Sequence, residues 1–259
     1  AVVDVTQGEV LTSGGTMQAG HRYIAAEDTR AFVSVTSDTA VLSLEGDYTL
    51  SPSTQTDYNA LADALLAMGM FRGTGTGYGS GYDLERAPTR IEGLVMFLRL
   101  LGEEESALSC TAECPFADVP DWAQPYVAYA YGQGYTKGVG QNEAGQSVFG
   151  TERTMGAGEY VTFLLRVLGY TDSGDAPDFT WQTALNDGRT LGLITAGEYT
   201  LLTEKPFLRA QLVYLSYYAL DASMKDASGT LLDYLEEAGA LDRAQADTIR
   251  AGVAVVRIS

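Results

Sequence analysis

The sequence predicts a mainly α fold with a small β part: three helix-loop-helix repeats in a pseudo-threefold bundle, plus a small antiparallel β unit. Two observations predict it. A helix-opening phrase occurs three times, as Thr89-Arg90-Ile91-Glu92, Gly156-Ala157-Gly158-Glu159 and Leu208-Arg209-Ala210-Gln211. Apolar stretches follow the three copies over Gly93–Gly102, Tyr160–Gly169 and Leu212–Asp221. Residues 1–50 instead carry short β-type runs between turn signals. Self-similarity of this kind means that one unit is used repeatedly.

In chain order, the β-type runs are Arg22–Ala25, Ala31–Val35 and Ala40–Leu44. Gly14-Gly15, Ala26-Glu27-Asp28 and Ser37-Asp38 read as turns between them. Both faces of Ala31–Val35 carry apolar residues, so its inward face stays open. This β unit covers residues 1–54, and Ser51-Pro52-Ser53-Thr54 reads as the hinge into the helical part.

The repeats occupy residues 55–221, divided at about 55–109, 110–172 and 173–221. Glu92 and Glu159 are 67 positions apart, and Glu159 and Gln211 are 52 apart. A solenoid keeps a tight period, so units packed about a common centre fit better. Each copy is preceded by a second helical stretch, near Tyr58–Met70, Trp122–Tyr131 and Trp181–Leu191. Seven residues past the acid or amide stand Arg99, Arg166 and Tyr218.

Residues 222–259 follow the third repeat. Leu231, Leu232, Leu235 and Ala238 make one helical face ending at Gly239. Asp242-Arg243-Ala244-Gln245 resembles a capping box, and Gly252 closes that helix. Val253–Ile258 is β-prone, and a lone strand is unstable. The expectation is that it pairs with the N-terminal β unit and carries residues 222–259 back onto it.

At 259 residues, 46% hydrophobic and 19% charged, the chain can bury a sizeable core and is not of disordered composition. The net charge of −18 repels nucleic acid and anionic lipid, so neither is expected as a partner. No apolar run approaches the ~18 residues that span a bilayer, and no signal peptide is legible. Thirteen of the sixteen basic residues are arginines, which suit bidentate carboxylate recognition; GC-rich codon usage explains the same bias.

The segment Phe116-Ala117-Asp118-Val119-Pro120, followed by Trp122-Ala123, resembles the start of an S-layer homology repeat. Thr89-Arg90-Ile91-Glu92 resembles that family's Thr-Arg-Ala-Glu signature. The resemblance covers about residues 55–221; the second and third signatures are degenerate, with Pro177-Asp178-Phe179 and Trp181 as a worn third opening. It implies a compact non-enzymatic module, exported and processed, at the surface or cell wall of a Gram-positive-type envelope. Its implied partner is a secondary cell wall polysaccharide, acidic and often pyruvylated, with contacts to S-layer or other surface proteins also open. No cofactor or membrane insertion is expected. The alternatives are a structural or protein–protein module with decayed glycan sites, or the anchor of a larger exported enzyme or adhesin.

Within the motif, Thr89 and Glu92 have a sufficient role as a capping box worth about 1 kcal/mol per bond. Arg90 does not: a cation in the first turn opposes the helix dipole, yet Arg209 recurs at the same place. Two readings stand. Arg90 and Arg209 bind the acidic ligand together with the helix-start amides, or each pairs with a neighbouring acid. On the first, Arg90→Ala weakens binding and barely alters stability. The second copy carries Ala157 there, so its site is lost or altered. Trp122 and Trp181, at matching helix starts, are packing aromatics or sugar platforms. The expected ligand-binding set is therefore Thr89, Arg90, Glu92, Arg209, Trp122 and Trp181.

Catalytic signals are weak. Gly73-Thr74-Gly75-Thr76-Gly77 follows a helix rather than a strand and lacks a terminal Gly-Lys, and His21 has no nucleophile elbow nearby. Asp172-Ser173-Gly174-Asp175 lacks EF-hand spacing, so no metal is expected. Cys110 and Cys114 permit a small disulfide ring, which export would favour; free thiols are the alternative.

Overall fold

The structure is a computed structural model describing residues 2–11, 15–18, 21–25, 31–35, 40–44, 56–75 and 81–259. The expected turns at Gly14, Ala26-Glu27-Asp28 and Ser37-Asp38, and the hinge Ser51–Thr54, lie outside the described residues. The chain divides into two compact units, Ala1–Thr56 and Asp57–Ser259.

The first unit holds two antiparallel three-stranded sheets. β1 (Val2–Asp4) lies between β2 (Glu9–Leu11) and β4 (Tyr23–Ala25). β6 (Ala40–Leu44) lies between β3 (Thr16–Met17) and β5 (Ala31–Val35). The sequence reading had β4, β5 and β6 and passed over the short β1, β2 and β3. The β1–β2 turn has its own chemistry: the Asp4 carboxylate accepts from the Thr6 amide at 2.9 Å, and Gly8 takes φ +70°. Asp4 also holds His21 Nδ1 at 2.7 Å, so the histidine is a structural partner of this turn.

The second unit is helical. α1 (Tyr58–Ala67) precedes α2 (Arg90–Leu100), α4 (Gln124–Gly132) precedes α5 (Ala157–Val167), and α6 (Ala184–Thr190) precedes α8 (Arg209–Ala219). Short α3 (Glu104–Leu108), the two-stranded pair β7 (Gly140–Gln141) and β8 (Ser147–Val148), and α7 (Ala196–Glu204) fill the connections. α9 (Leu231–Glu237) and α10 (Arg243–Ala251) follow, with Gly239 in the left-handed region and Asp242 capping α10. α7 was not anticipated, although Ala196-Gly197-Glu198-Tyr199 repeats Ala157-Gly158-Glu159-Tyr160 letter for letter.

Local chemistry explains the three helix starts. Thr89 and Glu92 form the full capping box on α2, with the Thr89 amide donating to Glu92 Oε2 at 2.8 Å. Gly156 and Leu208 offer no side-chain cap, but their amides still donate to Glu159 and Gln211, each at 2.9 Å. Behind the caps, α2, α5 and α8 meet. Phe97 and Phe163 stack tilted at 5.4 Å, and Tyr160 and Ser216 share a buried hydrogen bond of 2.6 Å. Gly93 lets α2 approach: a Cβ there would lie 2.2 Å from Met155 Sδ and 3.7 Å from Leu212 Cδ1.

Two sequence expectations are corrected here. Residues 222–259 belong to the helical unit, and Val253–Ser259 forms no strand. The tail runs along α7 and α8, where hydroxyls take the backbone bonds a neighbouring strand would supply. Tyr218 donates to the Val255 carbonyl at 3.1 Å, and the Ile258 amide donates to Tyr214 Oη at 2.8 Å. The cysteines are free thiols, and the Cys114 thiol faces the Phe116 carbonyl. Burial pushes the Cys114 thiol pKa up.

Candidate cationic cavity

Three of the acids that cap helices, Glu92, Glu159 and Glu198 at the start of α7, are also the centres of ion pairs. Arg86 and Arg153 stand six residues before Glu92 and Glu159, respectively, and each reaches its acid. Arg86 grips Glu92 with two nitrogens at 2.9 and 2.7 Å. Glu198 of α7, 1% exposed, is held by Arg257 from the tail at 2.7 and 2.9 Å. Capping uses one carboxylate oxygen, and the arginine binds the other, Arg86 and Arg257 sharing the capping oxygen as well.

Burial pushes the Glu92 carboxyl up, but the hydrogen bonds from Arg86 and the Thr89 amide outweigh it and bring its pKa down to about 2. A depressed folded pKa stabilises above the unfolded value and loses that contribution as pH falls through the folded one. The window here runs from the ordinary 4.5 down to about 2. Urea stability of the unaltered chain should therefore fall more steeply between pH 5 and pH 2 than that of Arg86→Met. Equal slopes would remove Glu92 as a contributor.

Glu159 gathers a second arginine. Arg90 Nη1 donates to Glu159 Oε1 at 2.7 Å from the neighbouring copy of the phrase, and Arg90 is 5% exposed. Its guanidinium lies over Phe149 at 5.0 Å and Phe163 at 5.3 Å, with Nη2 3.5 Å from Thr136 Oγ1. Burial lowers its pKa to about 10, partly offset by Glu159, so it stays charged at neutral pH. The acid-pairing reading of Arg90 is what the structure contains. The helix-start amides are also spoken for: Arg90 N donates to the Arg153 carbonyl at 2.8 Å and Ile91 N to Thr151 at 3.2 Å. They cannot hold an anion while they do so.

Arg90 nonetheless forms the floor of a cavity of about 430 Å³. Its wall is built from side chains far apart in sequence: Lys137 and Arg153 from the loops, Phe163 and Arg166 from α5, and Asp172 and Trp181 beyond it. Arg166 donates to the Tyr135 carbonyl and to Asp172 Oδ2, both at 2.5 Å, and Lys137 Nζ reaches Asp172 Oδ1 at 2.5 Å. Burial raises the Asp172 pKa, but these two cations hold it below the ordinary carboxylate value. Asp172, the first residue of the Asp172–Asp175 loop, is thereby paired with two cations. The lining carries four cations, Arg90, Lys137, Arg153 and Arg166, against two carboxylates, Glu159 and Asp172. In a chain of net charge −18, this is a local surplus of the opposite sign. The buried Arg90 Nε has no hydrogen-bond partner.

Of the expected site residues, the cavity brings together Arg90 and Trp181; Trp181 is 66% exposed at the rim. Trp122 is 59% exposed and does not line the cavity, so neither tryptophan is a core residue. Thr89 and Glu92 stay in their capping box with Arg86 and are not lining residues. Arg209 is 2% exposed, and its Nε donates to the Tyr82 carbonyl at 3.2 Å while Nη1 faces Met96 Sδ. Among the described residues Arg209 joins no ion pair. Burial lowers its pKa, opposed by Glu92. Sequence reasoning passed over Lys137 and Arg153, and weighed Asp172 only as a metal ligand. The matching six-residue spacing of Arg86 and Arg153 before their acids was the available signal.

No protein-family model matches the chain, and no curated protein matches it in sequence. Among the described residues, no helix is long and apolar enough to cross a membrane.

Proposed function

We propose that the chain is a non-catalytic anchoring module of the S-layer homology type, with its three helix pairs related by an approximate threefold axis. On this reading it binds an acidic, wall-linked polysaccharide at the outer surface of the envelope. The carrying observation is the cationic cavity, with an exposed tryptophan at its rim, in a strongly acidic chain. Lys137 and Arg153 are about half exposed and already solvated, so they can turn from Asp172 and Glu159 to a ligand carboxylate at little cost. Trp181 offers a flat apolar face to a sugar ring. Long-range repulsion between two polyanions is screened over about 8 Å at physiological salt, so the local charges decide binding.

The test is retention on purified cell-wall sacculi before and after acid extraction of their glycan. Retention should vanish after extraction. Lys137→Ala should weaken binding by roughly 1–3 kcal/mol, the scale for losing a charged hydrogen-bonding partner, with an unchanged melting curve. Equal retention on extracted sacculi, or unaltered binding by Lys137→Ala, would overturn the proposal. Arg209 favours a second reading for its own copy of the phrase. Buried on a backbone carbonyl and a methionine, it acts there as a structural tie, in keeping with a module whose further glycan sites have decayed.

A further inference from the structure

The groove along α7 and α8 that the tail fills shares one arrangement with the cavity, an arginine on the carbonyl that follows a helix end. In the cavity, α4 ends at left-handed Gly134, the next residue is Tyr135, and its carbonyl accepts from Arg166. In the third copy α6 ends at left-handed Gly192, and the next residue is Leu193. The residue corresponding to Arg166 is Tyr218, which offers no guanidinium. Arg257 supplies one from the tail instead, donating to the Leu193 carbonyl at 2.7 Å over the Tyr218 ring at 5.3 Å.

The rest of the tail is held by polar groups spaced for an extended backbone. Tyr218 and Tyr214 bond Val255 and Ile258 as described above, and Thr195 Oγ1 donates to the Ile258 carbonyl at 2.6 Å. Gly197 leaves room for the chain: a Cβ there would lie 2.2 Å from the Ser259 carbonyl oxygen. Val253, Val255 and Ile258 pack on the core, whereas Val256 between them is 84% exposed. Glu198, almost wholly buried, provides the counter-charge at the bottom. Hydroxyl partners for a peptide backbone, a carboxylate at the floor and room for alternate side chains are the parts of an extended-peptide site.

We propose that this groove is a binding site for an extended, arginine-bearing peptide segment, which the chain occupies with its own Val255–Ile258. Tethering gives the tail an effective concentration of order mM, so in the unaltered chain it excludes a competing segment. The test uses a fluorescent peptide of residues 253–259 and fluorescence anisotropy. The Arg257→Ala chain should bind this peptide at least tenfold more tightly than the unaltered chain does. Adding Glu198→Gln, or replacing the arginine of the peptide by alanine, should abolish that gain. A folded Arg257→Ala chain that binds the peptide no better than the unaltered chain overturns the proposal. Should Arg257→Ala fail to fold, hydrogen exchange of the unaltered chain decides. An Ile258 amide that exchanges faster than the α8 core amides supports a displaceable occupant. Exchange only with global unfolding makes the tail a fixed part of the core and overturns it.

Discussion

Phe97→Ala should cost the helical unit about 3–5 kcal/mol, the scale for emptying a large buried aromatic site. Phe97 is fully buried on α2 and meets Tyr135 edge-on at 5.2 Å, Phe163 at 5.4 Å and Tyr160 at 6.5 Å. Its ring thus joins the first copy of the repeated phrase to the second. Neighbours drawn from separate helices cannot all move into one hole, so the cavity persists and its walls lose their contacts. Urea unfolding followed by far-ultraviolet circular dichroism measures the change. A loss below about 1 kcal/mol would mean that α2 and α5 repack freely and that their junction is not the centre of the core.

Arg90→Ala should destabilise the unit by about 2–4 kcal/mol, close to the range for breaking a buried ion pair. This replaces the sequence-based expectation of a nearly silent change. The guanidinium lies between Phe149 and Phe163 and holds Glu159 from the neighbouring copy, so its removal empties space as well as charge. The low end of the range applies because Glu159 keeps Arg153. Arg90→Met separates the two roles. It refills the space between the rings and should lie within about 1.5 kcal/mol of the unaltered chain. If the cavity holds an acidic polymer, the same variant should still lose binding. Calorimetric melting together with the sacculus assay reads both. A stable Arg90→Met chain that binds normally would confine Arg90 to a structural role and leave ligand capture to Lys137 and Arg153.

How much of this was legible depends on the range of the interaction. The three helix starts were readable because a cap is settled within four residues: Thr89 with Glu92, and the Gly156 and Leu208 amides with Glu159 and Gln211. The apolar stretches behind them marked α2, α5 and α8, since burial on almost every face demands nearly continuous apolar residues. The partner of Arg90 was not readable. Glu159 lies 69 residues away among 34 acidic residues, and no local rule prefers it.

The tail misled for a related reason. Val253–Ile258 is β-prone in its residues but forms no strand, and its partner was not written there. Backbone groups need partners but do not specify them, and the hydroxyls of Tyr214, Tyr218 and Thr195 serve where a second strand was expected. The sequence by itself determined the helices that follow the three phrases and the way they start, both of which follow from short-range sterics and hydrogen bonding. Only the tertiary structure decided which charges meet, that four cations gather against two carboxylates beneath Trp181, and that Arg257 stands where the third copy has lost its arginine. Those outcomes depend on which distant surfaces exclude water together, a property of the packed chain rather than of any segment.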